Sequence, residues 1–172
     1  MSRFLLDIET DGLLAALTKV HCIVLKNIDT GDLISCADQP GFHPIETALD
    51  FISEATQLVG HNVINFDLRA LKKVYPDLEL RQDCDIYDTL IMSRLLWPEL
   101  DPVDRANFSH IESKFIGRHS LAAWGERLGV AKIKFQEEQK KKTENVWEHW
   151  SPSMQTYCEG DVAVSELLYQ YL

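Results

Sequence analysis

The order of strand-like and helix-like segments constrains the fold of this chain more than any other feature of its sequence. Three short β-rich segments come first, at residues 4–9, 20–28 and Leu33–Cys36. The turn Asp29-Thr30-Gly31-Asp32 joins the second segment to the third as a hairpin, which predicts two antiparallel neighbours for the first strand. The N-terminal third therefore predicts the antiparallel part of a sheet.

After this hairpin, segments with helical spacing of apolar residues alternate with short apolar runs that are typical of strands. Such alternation predicts an α/β fold with a mixed sheet. Residues 99–117 are polar and irregular, which predicts a long surface loop or flap. The predicted strands lie at residues 58–60 and 84–86. One predicted helix begins at Pro44, a second begins at Asn65, and a third follows the second of these strands and ends at Leu96. A fourth covers residues 119–128, and the last runs from the N-cap Ser151 to about Leu172.

Length and charge limit the classes of function. A chain of 172 residues predicts one domain over residues 1–172, without room for a polymerase or a helicase motor beside it. The formal net charge is −10, which argues against a protein that holds a long duplex by neutralising its phosphates. Brief local contact with a nucleic acid remains compatible with this charge if cations lie between the acids and the phosphate.

The cysteines and the apolar runs bear on the compartment. Cys22, Cys36, Cys84 and Cys158 are far apart and form no C-x-x-C pair, so we expect four buried free thiols in a reducing compartment. No apolar run approaches the ~20 residues of a membrane span, and acids follow the N-terminus too closely for a secretory signal. A cytoplasmic location is therefore expected.

Carboxylates occur at three places where elements begin, end or turn inward. Asp7 and Glu9 share one face of the first strand, Asp67 lies in the first turn of a helix, and Asp161 lies on the inward face of the last helix, one turn after Tyr157. Each group also has a structural explanation: a strand that reaches the surface, a favourable helix dipole, or a core acid paired with an arginine. Their occurrence together favours a shared site.

These residues belong to segments that match three ordered motifs. With this spacing the chain resembles the DEDDy 3′→5′ exonucleases (D-x-E, N-x-x-x-F/Y-D and Y-x-x-x-D), and within them the N-terminal proofreading domain of the T-seven-type podophage family A DNA polymerases. Residues 84–95 and 119–129 are similar to further stretches of that domain. The three motif segments are Asp7-Ile8-Glu9, Asn62-Val63-Ile64-Asn65-Phe66-Asp67 and Tyr157-Cys158-Glu159-Gly160-Asp161.

The resemblance implies a ribonuclease H-like (DnaQ-like) exonuclease fold, with helices on both faces of the sheet, and two divalent cations, Mg²⁺ or Mn²⁺. By the family pattern Asp7 bridges both ions, Glu9 and Asp161 complete the first site, and Asp67 holds the second through water. Carboxylates are the hard ligands that such ions prefer. Tyr157, with a reference pKa of ~10, is a poor base at neutral pH and is assigned to orienting the attacking water.

The implied activity is a 3′→5′ DNA exonuclease that releases nucleoside 5′-monophosphates from single-stranded or frayed 3′ ends. It would serve proofreading or DNA processing as a stand-alone or split-off domain, with a separate DNA polymerase as a candidate partner, in the cytoplasm of a bacterium or phage-infected host. Expected contacts to the terminal nucleotide come from Thr10, Leu13, Asn62 and Phe66.

Two other functions remain open at this point. The same five side chains also serve exoribonucleases, and a catalytically silent module that docks a polymerase is a further alternative, although such modules usually lack one of the acids. We expect helix capping from Asp88, a strand-end or supporting role for His61, and core or interface packing from the tryptophans at 124, 147 and 150. The lysines at 132, 134 and 140–142 either touch phosphates or form a solvated face.

Overall fold

A mixed five-stranded sheet forms the centre of the fold. The computed structural model describes residues 2–130 and 146–172. The strands are β1 (Arg3–Thr10), β2 (Val20–Asn27), β3 (Leu33–Cys36), β4 (Gln57–Gly60) and β5 (Asp85–Asp88). They lie in the order β3-β2-β1-β4-β5, with β2 antiparallel to both β1 and β3, whereas β1, β4 and β5 are parallel. The predicted α/β class with a mixed sheet is confirmed.

Helices cover both faces of this sheet. Within the described residues the helices are α1 (Ile45–Ser53), α2 (Asp67–Val74), α3 (Thr89–Leu96), α4 (Leu100–Asn107), α5 (Leu121–Arg127) and α6 (Pro152–Tyr171). On one face α1 and α2 pack against the sheet, and on the other face α6 packs against β1 and β2. The fourth and fifth helices contact the C-terminal half of α6 through Leu100, Trp124 and Leu168.

The alternation of residues in β1 explains this two-sided arrangement. Phe4 and Leu6 are buried in the cluster that contains α1 and α2, whereas Leu5 is buried with Val59 and Met154 under α6. Successive side chains of a strand point to opposite faces, so a strand apolar on both faces must be covered twice. This central position places the C-terminal end of β1 beneath α6.

Local sequence signals fix where the helices near this end begin. The Ser151 hydroxyl accepts a hydrogen bond from the Met154 N–H, and Pro152 occupies the first turn of α6, as predicted. Asp88 caps α3 by accepting from the N–H groups of Leu90 and Ile91. The expected capping role of Asp88 is confirmed.

Two expectations about the fold are wrong. Residues 99–117 are not a loop throughout: they contain α4 and a turn of 3₁₀ helix at Ser113–Phe115. Pro102 lies in the first turn of α4, where its missing N–H breaks no helical hydrogen bond. In addition, only β2 of the hairpin pairs with β1; β3 pairs with β2 and lies at the sheet edge.

Two smaller expectations concern the thiols and the membrane. All four cysteines are free, and three are buried, whereas Cys84 is partly exposed. Within residues 2–130 and 146–172, no helix is both long enough and apolar enough to cross a membrane.

Candidate active site

Two acids project from the C-terminal end of β1 toward α6. Asp7 is partly buried and Glu9 is buried, on the same face as Leu5. Parallel strands β1, β4 and β5 all end at this edge of the sheet, which is where ligands bind in α/β folds. A shift of register between Glu9 and Thr10 ends the regular pairing with β2 at the same place. The strand end thus presents both carboxylates beside the loops of this edge.

The loop between β4 and α2 brings a third acid to the same place. Asp67, the first residue of α2, is buried and is hydrogen-bonded to the backbone N–H of Ile8 in β1. The pairing of β1 with β4 ends at Leu5, so this part of β1 is open to the Asp67 side chain. The β1 backbone and this side chain therefore hold each other in place.

Gly60 allows this loop to approach β1 closely. A Cβ atom at Gly60 would lie 2.9 Å from the Leu6 carbonyl oxygen and 2.8 Å from Cβ of Val63. Any larger residue would push the loop away from the strand. Glycine is therefore required here by the close approach of two backbones.

Asp88 holds the same loop from the side of β5. Its carboxylate accepts from the N–H groups of Asn62, at 3.0 Å, and Ile64, at 3.1 Å, in addition to capping α3. Asn62 has a φ of 66°, a left-handed conformation that asparagine adopts more readily than most residues. This turn sets where Asp67 begins its helix.

The closing helix supplies a fourth acid and an aromatic hydroxyl. Asp161 is buried on the face of α6 that packs against β1, and Tyr157 lies one turn earlier and is hydrogen-bonded to it. The thiol of Cys158 donates to a side-chain oxygen of Asp7 at 3.3 Å and contacts the Asp7 carbonyl oxygen at 3.4 Å. The α6 helix is therefore tied directly to the end of β1.

Electrostatics show that four acids converge. Burial raises the pKa of Asp7 well above its usual range, and repulsion from Asp161, Asp67 and Glu9 adds to the shift. Burial also raises the pKa of Asp67 to about 7, with repulsion from Asp88 and Asp161, against opposing backbone hydrogen bonds. Such mutual repulsion favours either protons or bound cations in the cluster.

Burial, followed by repulsion from Asp161, Glu9 and Asp7, raises the pKa of Tyr157 above its ordinary value. The phenol therefore stays protonated at neutral pH and can donate a hydrogen bond. Burial likewise raises the pKa of the Cys158 thiol, so this sulfur is a donor to Asp7 rather than a thiolate ligand. Both side chains hold their protons beside the acids.

The donor atoms fit a hard divalent cation. One ligand atom each from Asp7, Glu9 and Cys158 lies within 4.8 Å of the other two. With the thiol protonated, the available donors are carboxylate oxygens, which suit Mg²⁺ or Mn²⁺.

A pocket of about 280 Å³ opens beside Glu9. Three residues expected to contact substrate line it: Thr10, Leu13 and Phe66. The Leu13 side chain is 80% exposed, whereas the Thr10 hydroxyl donates to the Gly12 carbonyl oxygen at 2.8 Å. An apolar wall therefore adjoins the acid cluster.

The structure brings together the five residues expected from sequence to be catalytic, namely Asp7, Glu9, Asp67, Tyr157 and Asp161. The catalytic and metal-binding roles of these residues stay predictions. Asn62 is not among the residues that line the pocket, and it contributes to the turn before Asp67. The lysines at 132, 134 and 140–142 lie outside the described residues.

Sequence reasoning missed two neighbours of the site. Cys158 contacts Asp7, and its place on the inward face of α6 could have indicated this. Trp147 packs against the core cluster under α6, as expected, and it also lines the pocket, which was not expected. Trp124 is a core residue, as expected. No periodic pattern in the sequence marks Trp147, because it precedes α6 rather than lying within it.

Comparisons with known proteins agree with this architecture. The chain is 28% identical to the DNA-directed DNA polymerase of Escherichia phage T7 and 31% identical to that of Enterobacteria phage T3, over 96% of its own length in both cases. It spans about a quarter (26%) of the length of these curated relatives. The expected resemblance to phage DNA polymerases is confirmed.

Solved structures with the same fold include nucleic-acid enzymes. The family B DNA polymerase of the archaeon Pyrobaculum calidifontis superposes with a TM-score of 0.61 at 17% identity, covering 100% of this chain and 24% of that one. The zinc-bound complex of E. coli exonuclease I with single-stranded DNA gives 0.53 at 12% identity, covering 99% and 43%. At these identities the likeness concerns the fold.

The sequence also matches the ribonuclease H superfamily over residues 4–172, which is nearly the whole chain. This match, the mixed sheet with helices on both faces and the acids at the end of its central strand agree with one another. The chain belongs to the ribonuclease H superfamily.

Proposed function

We propose that the protein is a metal-dependent 3′→5′ DNA exonuclease of the DEDDy type. It releases nucleoside 5′-monophosphates from single-stranded or frayed 3′ ends, in proofreading or DNA processing. One observation carries the proposal: Asp7, Glu9, Asp67 and Asp161 come from three separate elements and repel one another in one buried cluster. A chain does not concentrate mutually repelling acids in its interior for stability, because the burial of like charges close together costs free energy.

Two divalent cations, Mg²⁺ or Mn²⁺, are the cofactors that fit this cluster. Asp7, Glu9 and Asp161 would hold the first ion, and Asp7 with Asp67 the second. When bound, the cations would make a water molecule more acidic and neutralise charge that develops on the phosphate. They would also allow a protein with a net charge of −10 to accept a phosphodiester.

The other residues of the site bind and orient the substrate. Tyr157 keeps its proton and directs the attacking water through its hydroxyl, held by Asp161. Leu13 and Phe66, which line the pocket, pack against the terminal nucleotide, and Thr10 lies at its polar groups. Asn62, in the turn before Asp67 rather than in the pocket lining, is assigned to the same polar groups. The apolar wall excludes water beside the acids, which strengthens the electrostatic interactions there.

The proposed partner besides the DNA 3′ end is a separate DNA polymerase. The curated relatives that the chain resembles over 96% of its length are DNA polymerases, which supports a polymerase as partner. A polymerase would supply frayed 3′ ends to this site.

Labelled oligonucleotides test the proposed function. DNA strands labelled at the 5′ or 3′ end are incubated with Mg²⁺, with and without chelator, beside RNA strands of the same sequence. We expect a ladder of shortening 5′-labelled DNA, immediate release of the 3′ label as a mononucleotide, and no reaction with chelator. Shortening from the 5′ end, or no shortening, would contradict the proposal; faster loss of RNA would overturn the assignment to DNA.

Substitution of Tyr157 by phenylalanine is expected to lower the rate less than the loss of one of the carboxylates. The change removes only the hydroxyl that orients water, and we expect the rate to fall by ~10²-fold, the lower end for loss of one aligned hydrogen-bonding group in an active site. Single-turnover rates at saturating metal measure this. A complete loss of activity, equal to that of a carboxylate variant, would mean that Tyr157 has another role.

Metal binding is expected to stabilise the protein, and more strongly at about pH 7.5 than at about pH 5.5. In the metal-free protein the pKa of Asp7 lies well above its usual range, and the pKa of Asp67 is raised to about 7. The folded state therefore binds protons that the unfolded chain has released. These groups therefore lower stability as the pH rises from about 4 to about 7. Cations need deprotonated carboxylates, so proton competition is weakest at the higher pH.

Thermal melting with and without Mn²⁺ checks this expectation. At metal concentrations ~100 times Kd, ligand linkage gives ~2.7 kcal/mol, or a shift of roughly 5–10 °C for a chain of this size. Asp161→Asn is the control and should lose most of the shift. An identical melting curve with and without millimolar Mn²⁺ at about pH 7.5 would contradict the assignment of the cluster as a metal site.

A further inference from the structure

Trp147 forms part of the pocket wall beside the acids. It lines the pocket together with Glu9, Leu13 and Phe66, and it is partly buried. Its ring meets that of Tyr157 edge to face, with centroids 6.4 Å apart and an interplanar angle of 72°. Trp147 therefore belongs to the pocket lining, and its ring adjoins the tyrosine assigned to the attacking water.

His21 on β2 fixes the backbone of this tryptophan. Nε2 of His21 lies 2.9 Å from the Trp147 carbonyl oxygen, and because a carbonyl only accepts, Nε2 carries the hydrogen. The His21 side chain is 3% exposed, and its Nδ1 atom has no hydrogen-bond partner among the described residues. Among the described residues, the buried imidazole of His21 therefore makes its hydrogen bond to the Trp147 carbonyl oxygen.

The position of His21 follows from the irregular end of the β1–β2 ladder. Glu9 pairs with Cys22 and Thr10 pairs with Val20, so the register shift leaves His21 outside the regular pairing. A β-bulge commonly redirects a side chain next to a functional site. Here the imidazole lies against the segment that carries Trp147, and its Nε2 atom binds the Trp147 carbonyl oxygen.

We propose that Trp147 stacks on the base of the 3′-terminal nucleotide and that His21 is the positioning residue that holds it there. The inference rests on the proposed function. The acids occupy the end of the site that suits the phosphate, and the apolar pocket beside Glu9 leaves Leu13, Phe66 and Trp147 for the base. A pocket of about 280 Å³ is at the low end of small-ligand sites, which suits a single nucleotide.

Stacking also agrees with a nuclease that removes every kind of terminal nucleotide. Every base has an aromatic face, so stacking contributes affinity without reading the sequence. A hydrogen-bonding pocket would instead prefer one base. Trp147 would therefore lower KM for an ordinary 3′ terminus, whichever base it carries.

A 3′-terminal abasic nucleotide tests the proposal, because it keeps the sugar and phosphate and lacks the base. For the wild type, KM for the abasic terminus should be about tenfold higher than for the ordinary one, the loss expected for one base–aromatic stack. Trp147→Leu should raise KM about tenfold for the ordinary terminus, leave the abasic terminus within about twofold, and change kcat little. Trp147→Phe keeps an aromatic face and should retain most of the discrimination.

Trp150→Leu is the matched control, because Trp150 lies in the same segment and its indole N–H donates to Gln155 instead of facing the pocket. This control should discriminate between the ordinary and the abasic terminus as the wild type does.

His21→Phe should lose this discrimination as Trp147→Leu does, whereas His21→Gln, which keeps an N–H donor, should recover part of it. If the wild type degrades DNA from the 3′ end but Trp147→Leu changes KM equally for both termini, the stacking role alone is overturned. A wild type inactive on both termini would overturn the proposed function.

Discussion

Asp7→Ala is expected to reduce nucleotide release by about 10³-fold or more while the protein stays folded. Removal of one group that stabilises charge in a transition state costs ~10²–10³-fold, and Asp7 is assigned to both cations. It interacts with Asp161, Asp67 and Glu9, so its loss affects the whole cluster. Mononucleotide release from single-stranded DNA at saturating Mg²⁺ measures the effect.

The same substitution should not lower the stability of the metal-free protein. Asp7 is one of several acids that repel one another, so its removal relieves repulsion, and we expect a melting temperature equal to or above that of the wild type without metal. Asp85→Ala, which removes an exposed acid on β5, serves as control and should leave both rate and melting temperature near wild type. Activity of Asp7→Ala within tenfold of the wild type would contradict the metal assignment.

Asp104→Ala is expected to cost ~3–5 kcal/mol of stability, the penalty for leaving a buried charge without its partner. Asp104 on α4 and Arg127 on α5 form two hydrogen bonds of 2.7 Å, with side chains 0% and 1% exposed. Arg127 also donates to the carbonyl oxygens of Arg118 and Phe115 and lies over the Trp124 ring. Without Asp104, this guanidinium remains buried beside carbonyls alone.

Thermal melting of metal-free protein should show a fall of roughly 10 °C for Asp104→Ala. The control is Asp101→Ala on the same helix, which removes the exposed pair between Asp101 and Arg105, with side chains 52% and 64% exposed. Exposed pairs contribute less than ~1 kcal/mol, so this variant should melt near the wild type. Equal shifts for the two variants would show that the buried pair does not organise residues 99–117.

The sequence predicted the central strand and the positions of the acids because both follow simple periodicities. Alternation in β1 places Asp7 and Glu9 on one face, and helical spacing places Asp161 one turn after Tyr157 on α6. The caps of α3 and α6 were also predictable, since Asp88 and Ser151 are residue types that accept from free N–H groups. Local rules were sufficient for these features.

Features that depend on tertiary contacts were not predictable. The apolar pattern of α4 is weak, with Leu100 and Asp104 as its buried residues, and the helix depends on the ion pair with Arg127 from another element. Trp147 lines the pocket, and its carbonyl oxygen is bound by His21, which is 126 positions away in the sequence. No signal within either segment indicates such a pairing.

Anomalous diffraction from crystals soaked in Mn²⁺ tests the central claim most directly. The account predicts two peaks at the C-terminal end of β1, within coordination distance of Asp7, Glu9, Asp67 and Asp161, and loss of these peaks in Asp7→Ala. Carboxylates that lie apart or bind arginine side chains, with no manganese between them, would contradict the account.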